Sequence, residues 1–186
     1  MISNIFNNPG LRRAWLKIRY LLAPLFLIIL LRYINTDYLL AGFLVSLFGE
    51  LIQTWSFASL VKNVELTVRG PYVLVRNPMY LGRYFLGLGF AILFGNIWFV
   101  IFYTVIYVLY MVNRVKREEA RLIGLLDGYD EYRSKVSAFI PGRGVIDTNP
   151  LWYFSWETLR SNHGDKNFLV FMLIYAIIFS YVLFFK

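Results

Sequence analysis

The chain has 186 residues, a length that suits one domain, with a formal net charge of +8 and a pI of about 9.7. Hydrophobic residues make up 59% and charged residues only 16%, too little charge for a water-facing surface. The surplus apolar residues predict a surface exposed to lipid. The positive charges lie between apolar runs, which favours a role in membrane topology over nucleic-acid binding. Cysteine is absent and His163 is the only histidine, which excludes disulfides, thiol chemistry and a Cys/His zinc site.

The apolar regions predict a single all-α domain with five transmembrane helices. Residues 20–34 and 38–61 form the first two helices, and residues 168–185 form the last. Residues 80–112 are too long for one span and contain Gly95-Asn96, a turn signal, so they predict a tight helical hairpin of residues 81–94 and 97–112. No small-residue cleavage site follows the first apolar stretch, so we expect a mature helix there rather than a signal peptide.

The basic residues predict the orientation of the chain. All 19 Lys and Arg residues except Arg32 and Lys186 lie in segments 1–19, 62–83 and 113–167. The positive-inside rule then places the N-terminus in the cytoplasm and the C-terminus outside. We expect residues 1–63 to supply the first two helices and residues 64–141 the motif loop, hairpin and cytosolic motif helix. Residues 142–186 would supply an interfacial segment and the last helix.

The loop before the hairpin, residues 64–82, reads VELTVRGPYVLVRNPMYLG. Gly70-Pro71 marks a turn, and the flanking VELTV and YVLV predict extended backbone. Asn77-Pro78 predicts the start of a helix, because proline suits the first helical turn and pushes the preceding residue out of the helical region. Asn77 is therefore expected to be the N-cap.

The same loop has the groups that a charged nucleoside needs. The free amides at a helix N-terminus favour a carboxylate, and Arg76 adds positive charge. Tyr72 and Tyr80 offer aromatic faces for a purine or a sulfonium cation, and Gly82 permits close approach. A capped membrane helix with anchoring aromatic residues explains these residues equally.

The helix leaving the hairpin contains NRVKREEARL over residues 113–122. Arg114 and Glu118 are four residues apart and share one face of the helix, so together they could bind a zwitterion. The arginine would bind the carboxylate of the ligand, and the glutamate would bind its ammonium group or ribose hydroxyls. An ordinary juxtamembrane ion pair is the alternative. Tyr129 and Tyr132 either close the pocket or rest in the membrane interface.

Glu50 is an ionisable residue in the middle of the second predicted span, with Gln53 and Thr54 about one turn further on. Charged groups at that depth are costly and are often functional. Glu50 either holds two helices together through hydrogen bonds or contacts the head group of an acceptor. His163 has no partner pattern around it and is expected at the surface.

Taken together, GPY, RNPMYLG, the hydrophobic hairpin, REEARL, YDEYRSKV and FIP resemble the isoprenylcysteine carboxyl methyltransferase and phospholipid methyltransferase superfamily. The resemblance covers about residues 50–141 and is closest to small prokaryotic members. It implies a methyltransferase of the cytoplasmic membrane that uses S-adenosyl-L-methionine, releases S-adenosyl-L-homocysteine and has its site at the cytosolic end of the hairpin. Arg114, Glu118 and Glu119, which completes a paired-glutamate motif, are the expected catalytic residues. The implied cofactor contacts are Val64, Glu65, Leu66, Thr67, Tyr72, Asn77, Pro78, Met79, Tyr80, Gly82, Arg114 and Glu118.

Some positions depart from the family pattern and leave the acceptor open. Asn77 stands where prenylcysteine enzymes usually have histidine. At this position the chain resembles the phosphatidylethanolamine N-methyltransferases. Leu126 replaces a glycine that is common in the family. The expected partners are a lipid-like acceptor and the bilayer, with no nucleic acid, metal or obligate protein partner. An NADPH-dependent sterol or enone reductase is an alternative, although no glycine-rich dinucleotide motif is present. A non-catalytic membrane subunit is another.

Overall fold

The computed structural model describes residues 18, 22, 24–62, 64–141 and 151–186, and within these residues the regular structure is entirely helical. The interfacial segment predicted in residues 142–166 lies partly outside the described residues. Two short 3₁₀ segments, Thr36–Tyr38 and Gly70–Val73, accompany the α-helices. The helices are α1 (Pro24–Tyr33), α2 (Leu39–Ser59), α3 (Pro78–Ile92), α4 (Ile97–Ile123), α5 (Tyr129–Lys135), α6 (Trp156–Ser161) and α7 (Gly164–Phe185).

Helices α2 and α3 pack closely and antiparallel because glycines face each other along their interface. A Cβ atom on Gly49 would lie 2.5 Å from the Gly82 carbonyl oxygen, and one on Gly89 would lie 2.4 Å from the Gly42 carbonyl oxygen. Small residues allow helix backbones to approach in lipid, where burial of apolar surface does not drive helices together. This seam fixes the start of α3 beside the end of α2.

Helix α7 covers the other side of α2 through an aromatic and polar contact. The buried Tyr175 hydroxyl donates either to the Gly42 carbonyl at 3.1 Å or to Ser46 Oγ at 2.7 Å, and Ser46 donates to the Leu86 carbonyl at 3.0 Å. These contacts join α7, α2 and α3. Around them lies a buried apolar cluster of Leu30, Ile34, Leu93, Phe171, Tyr175 and Ile178.

The hairpin predicted at Gly95-Asn96 is present between α3 and α4. Gly95 has φ +62°, a backbone conformation that favours glycine, and the Asn96 side chain accepts from the Trp98 amide at 2.9 Å to cap α4. Asn35 closes the same end of the molecule, since its amide donates to the Leu93 carbonyl at 2.8 Å. The hairpin therefore returns α4 to the end at which α3 begins.

Three helical segments in the described residues are long and apolar enough to cross a membrane: Thr36–Ser59, Ile97–Ile123 and Gly164–Phe185. Helix α3 has 15 residues and is about 22 Å long, which is shorter than a hydrocarbon core of about 30 Å. Within the described residues, α1 spans Pro24–Tyr33, which is shorter still. The all-helical class and the hairpin are confirmed, and the five-span arrangement stays a prediction.

The prediction of extended backbone is wrong for YVLV, which follows Gly70-Pro71, and it stays a prediction for VELTV, which precedes it. Gly70 to Val73 form a 3₁₀ turn, and VELTV has no regular structure. Gly70 has φ +58°, and its position lies against the Ser59 side chain at the end of α2. The left-handed backbone at Gly70 breaks an extended path, and the loop folds tightly over the helix ends instead.

Candidate functional site

Tyr80 joins the two helices of the hairpin at the end where α3 begins and α4 leaves the apolar region. Arg114 Nε donates to the Tyr80 hydroxyl at 2.8 Å, and that hydroxyl donates to Glu118 Oε2 at 2.5 Å. The Tyr107 hydroxyl donates to the Tyr80 carbonyl at 2.6 Å and holds the same turn of α3 against α4. The Tyr80 hydroxyl thus positions the Arg114 guanidinium and the Glu118 carboxylate, which are one helical turn apart on α4.

A second polar cluster lies beside the first and is centred on Glu119, whose side chain is 10% exposed. Its Oε1 accepts from Arg76 Nε at 3.0 Å and from Asn77 Nδ2 at 3.3 Å, while Arg133 Nε lies 3.7 Å from Oε2. A carboxylate with this little exposure requires such partners, because an unpaired buried charge is costly. Glu119 therefore ties the motif loop and α5 to α4.

Arg76 connects that cluster to the segment after α5. Its Nη1 donates to the carbonyls of Arg133 and Val136, and the backbone amides of Arg76 and Asn77 donate to the carbonyls of Ser137 and Ala138 at 2.9 and 3.1 Å. Two parts of the chain separated by some sixty residues thus form one wall of the site.

Buried tyrosines form the rest of that wall. The Tyr132 hydroxyl donates to the Tyr72 carbonyl at 2.6 Å, and Tyr129 packs edge-on against Tyr132. Leu66 packs against both rings. Burial raises the pKa of Tyr72 and Tyr132, and it raises the pKa of Tyr129 to about 12, with the neighbouring Glu119 charge adding to the effect. These phenols are neutral at physiological pH, and the Tyr132 hydroxyl acts as a hydrogen-bond donor.

From the predicted set, the structure joins Tyr80, Arg114 and Glu118 in one cluster and joins Asn77 with Glu119 in the cluster beside it, while Tyr72 contacts Tyr132. The predicted N-cap position of Asn77 is confirmed, but its side chain makes no capping hydrogen bond and donates to Glu119 instead. Arg114 and Glu118 are both exposed, and either can reach a ligand from solvent.

The remaining residues that were predicted to contact the cofactor make other contacts or differ in exposure. A Cβ on Gly82 would meet Gln53 and Gly49, so this glycine serves the α2–α3 interface. Thr67 is buried, and its hydroxyl accepts from the Val61 amide at 3.2 Å. Of the others, Pro78 is buried, Leu66 and Met79 are half-buried, and Val64 and Glu65 are exposed.

The sequence did not predict the place of Arg83 or the pairing of Arg76 with Glu119. The Arg83 guanidinium lies 5.6 Å from the centre of the Tyr80 ring. Its position three residues after Tyr80, on a neighbouring face of α3, was the available signal. No sequence signal pairs Arg76 with Glu119, because 43 residues separate them. Among the described residues, no group of three or more His, Cys, Asp or Glu side chains could hold a metal ion.

A comparison with known protein families matches the part of the chain that contains Tyr80, Arg114 and Glu118. The family model described as phospholipid methyltransferase matches residues 38–125. The protein-S-isoprenylcysteine O-methyltransferase of Schizosaccharomyces pombe is 34% identical over 81 residues, which is 43% of this chain and 34% of that relative. The match thus spans about a third of the relative's length. Neither match supports the reductase alternative. No solved structure matches the chain significantly.

Proposed function

We propose that this chain, whose residues 38–125 match the phospholipid methyltransferase family model, belongs to the isoprenylcysteine carboxyl methyltransferase and phospholipid methyltransferase superfamily and transfers a methyl group from S-adenosyl-L-methionine to a lipid-like acceptor. The observation that carries the proposal is the Arg114–Tyr80–Glu118 arrangement at one end of the hairpin. It sets a cation, a carboxylate and an aromatic ring side by side. These are the groups that an amino-acid-bearing nucleoside with a sulfonium centre requires.

The chemistry of these side chains fits that cofactor. Tyr80 engages Nε of Arg114 and one carboxylate oxygen of Glu118. The terminal guanidinium nitrogens of Arg114 would bind the carboxylate of the ligand, and the second oxygen of Glu118 would bind its ammonium or ribose hydroxyls. The start of α3 at Asn77 and Pro78 adds the positive end of a helix dipole. When bound, S-adenosyl-L-methionine supplies a methyl group on an already activated leaving group.

Because the leaving group needs no activation, the protein mainly aligns the reactants and excludes water. We assign the binding role to Arg114 and Glu118 and a positioning role to Tyr80. Glu119 is also a positioning residue, since Arg76 and Asn77 engage it from the side of the motif loop. A carboxylate acceptor is ionised at neutral pH and needs no base, which favours an O-methyltransferase of the isoprenylcysteine carboxyl type.

An amine N-methyltransferase of the phospholipid type is the second candidate. It is favoured by the family model that matches residues 38–125 and by Asn77. An amine acceptor must lose a proton during the reaction, so its rate would rise with pH up to the pKa of the amine. The rate with a carboxylate acceptor would be flat over the same range. Comparing the pH profiles of the two acceptor classes separates the candidates.

We further propose that the enzyme is a five-helix protein of a prokaryotic cytoplasmic membrane, with its N-terminus and site in the cytoplasm and its C-terminus outside. The charges support this orientation. Arg69, Arg76 and Arg114 lie at the site end, whereas Lys186 donates to the Ile34 carbonyl at the opposite end. Labelling of engineered cysteines from either side of the membrane tests this orientation, since the chain has no cysteine of its own.

The binding experiment uses Tyr80→Phe with Tyr84→Phe as its matched control. Both replacements remove one hydroxyl from α3, but the Tyr84 hydroxyl contacts Thr104 at 3.2 Å within the hairpin and touches neither Arg114 nor Glu118. Equilibrium binding of radiolabelled S-adenosylmethionine to purified protein should weaken at least tenfold in Tyr80→Phe and change less than about twofold in the control. Equal binding by wild type and both variants would remove the site assignment.

A further inference from the structure

A cleft of about 420 Å³ lies between α2, α3 and α7, and its lining residues do not include Tyr80, Arg114 or Glu118. The proposed methyl transfer does not use its polar residues. One part of its lining is apolar and the other part is polar, so the cleft is amphipathic. The lining residues used below are Glu50, Gln53, Arg83, Phe90, Asn167 and Phe171, and we call this space the α2–α3–α7 cleft.

Glu50 is the unusual residue of this cleft. It is 2% exposed, and its Oε2 accepts from Gln53 Nε2 at 3.1 Å. Its other carboxyl oxygen, Oε1, is buried and has no hydrogen-bond partner in the part of the chain that the structure describes. A buried polar oxygen without a partner is costly, and the cost is recovered if a ligand donates a hydrogen bond to it.

Arg83 connects the cleft with the candidate cofactor site. This exposed arginine lines the cleft, and its guanidinium also lies 5.6 Å from the centre of the Tyr80 ring. An anionic group bound by Arg83 would therefore lie next to the residues that we assign to the cofactor. Deeper along α3 and α7, Phe90 and Phe171 offer apolar surface to a hydrocarbon chain.

We propose that the α2–α3–α7 cleft binds the methyl acceptor, and that Glu50 selects amphiphiles whose head group carries an N–H or O–H donor close to an anionic group. Arg83 binds the anionic group, Glu50 accepts the hydrogen bond, and the phenylalanines contact the chain. This inference rests on the proposed methyltransferase function and adds the chemical class of its acceptor. It assigns Glu50 a role in specificity rather than in the cofactor site.

The test uses two synthetic probes that differ in one donor. N-Dodecanoylglycine has a carboxylate and an amide N–H, and N-dodecanoyl-N-methylglycine has the same carboxylate and chain without that N–H. Their competition against radiolabelled N-dodecanoylglycine is measured on purified protein in nanodiscs and corrected for partition into empty nanodiscs. Wild-type protein should prefer the N–H compound about tenfold, as expected for a hydrogen bond to a carboxylate.

Glu50→Leu should reduce this preference to less than about twofold, because the acceptor oxygen is gone. Thr54→Val is the matched control, because Thr54 also lies in α2 and its buried oxygen has no partner among the described residues. Thr54 does not line the cleft, so the preference should persist. Arg83→Gln should weaken both probes to the same extent. The preference is the ratio of the affinities for the two probes, measured within one variant. A general loss of folding lowers both affinities alike and cancels in this ratio, so the ratio reports the effect of the N–H donor alone.

Binding of labelled S-adenosylmethionine, measured on the same preparations, separates the acceptor assignment of the cleft from the proposed methyltransferase function. Cofactor binding without any preference between the probes, or a preference that survives in Glu50→Leu, would overturn the acceptor assignment and leave the proposed function intact. Absence of cofactor binding in every preparation, with the preference still present in wild type and lost in Glu50→Leu, would support the cleft as a lipid site and contradict the methyltransferase proposal. If the protein neither bound the cofactor nor preferred the N–H probe, both the methyltransferase proposal and the acceptor assignment would be contradicted.

Discussion

The Arg76–Glu119 ion pair should be the most important polar contact for holding the motif loop on α4. Both side chains are 10% exposed, and Arg76 Nη2 lies 3.0 Å from Glu119 Oε1. Replacing Arg76 by methionine leaves the carboxylate with Asn77 and with the half-exposed Arg133 at 3.7 Å. Breaking a buried pair from one side costs about 3–5 kcal/mol, and these remaining partners favour the lower end, about 3 kcal/mol.

A double-mutant cycle isolates the energy of the pair. Glu119→Leu alone should cost about 2 kcal/mol, because Arg76 keeps its hydrogen bonds to the carbonyls of Arg133 and Val136. The double variant with Arg76→Met should cost about 3 kcal/mol instead of the additive value of about 5 kcal/mol, so the coupling energy is about 2 kcal/mol.

Thermal unfolding in detergent, followed by circular dichroism, is the assay. For a chain of this length, about 3 kcal/mol corresponds to a fall in Tm of about 6–12 °C in Arg76→Met. Lys135→Met breaks the exposed Lys135–Glu131 pair and should leave Tm unchanged, which makes it the control for loss of a charge. A coupling energy below about 0.5 kcal/mol would refute the reasoning, because the two side chains would then act independently.

The remaining predictions concern packing, capping and titration. Gly49→Ala should lower Tm strongly, since its Cβ would lie 2.3 Å from the Leu86 amide nitrogen, whereas Gly124→Ala, whose nearest neighbour is at 3.8 Å, should be tolerated. Asn162→Ala should cost about 1–2 kcal/mol in a denaturant titration, because its Nδ2 donates to two carbonyls at the end of α2. The free energy of unfolding should fall as pH rises from about 10 to about 12, because burial raises the pKa of Tyr129 above its unfolded value; Tyr129→Phe should make the fall shallower.

Each of these predictions has an outcome that contradicts it. Equal Tm values for the two alanine variants would mean that the α2–α3 backbones are not in close contact. An unchanged denaturation midpoint in Asn162→Ala would remove its capping role. For Tyr129, the unfolding free energy is expected to fall with rising pH because the folded state favours the neutral phenol. An unfolding free energy that stays constant or rises over that pH range would contradict its burial.

Local signals in the sequence predicted the parts of the site that lie within one helix or at one turn. The spacing of Arg114 and Glu118 placed them on one face of α4, and Gly95-Asn96 located the hairpin. The structure adds that Tyr80, from the other helix of the hairpin, bridges the two side chains. That link follows from the pairing of the helices, which periodicity alone does not supply.

Two features could not be predicted because they depend on contacts between distant segments. Asn77 lies at the predicted N-cap of α3, but its side chain makes no capping hydrogen bond, and its amide donates to Glu119. The YVLV segment is a run of apolar residues typical of a buried strand, yet Tyr72 and Val73 lie in the 3₁₀ turn that begins at Gly70, beside the end of α2. In both cases a tertiary contact determines the result, and β-propensity in particular depends on such context.

Transfer of labelled methyl groups into lipid is the measurement that tests the central claim most directly. Purified protein is incubated with S-adenosylmethionine labelled in the methyl group and with an extract of total membrane lipid, and the organic-soluble label is counted. Wild-type protein and the control Glu131→Gln, which alters an exposed carboxylate on α5, should both transfer label, whereas Glu118→Gln should transfer at least tenfold less. Full transfer by Glu118→Gln, or none by a wild-type protein that binds the cofactor, would contradict the account.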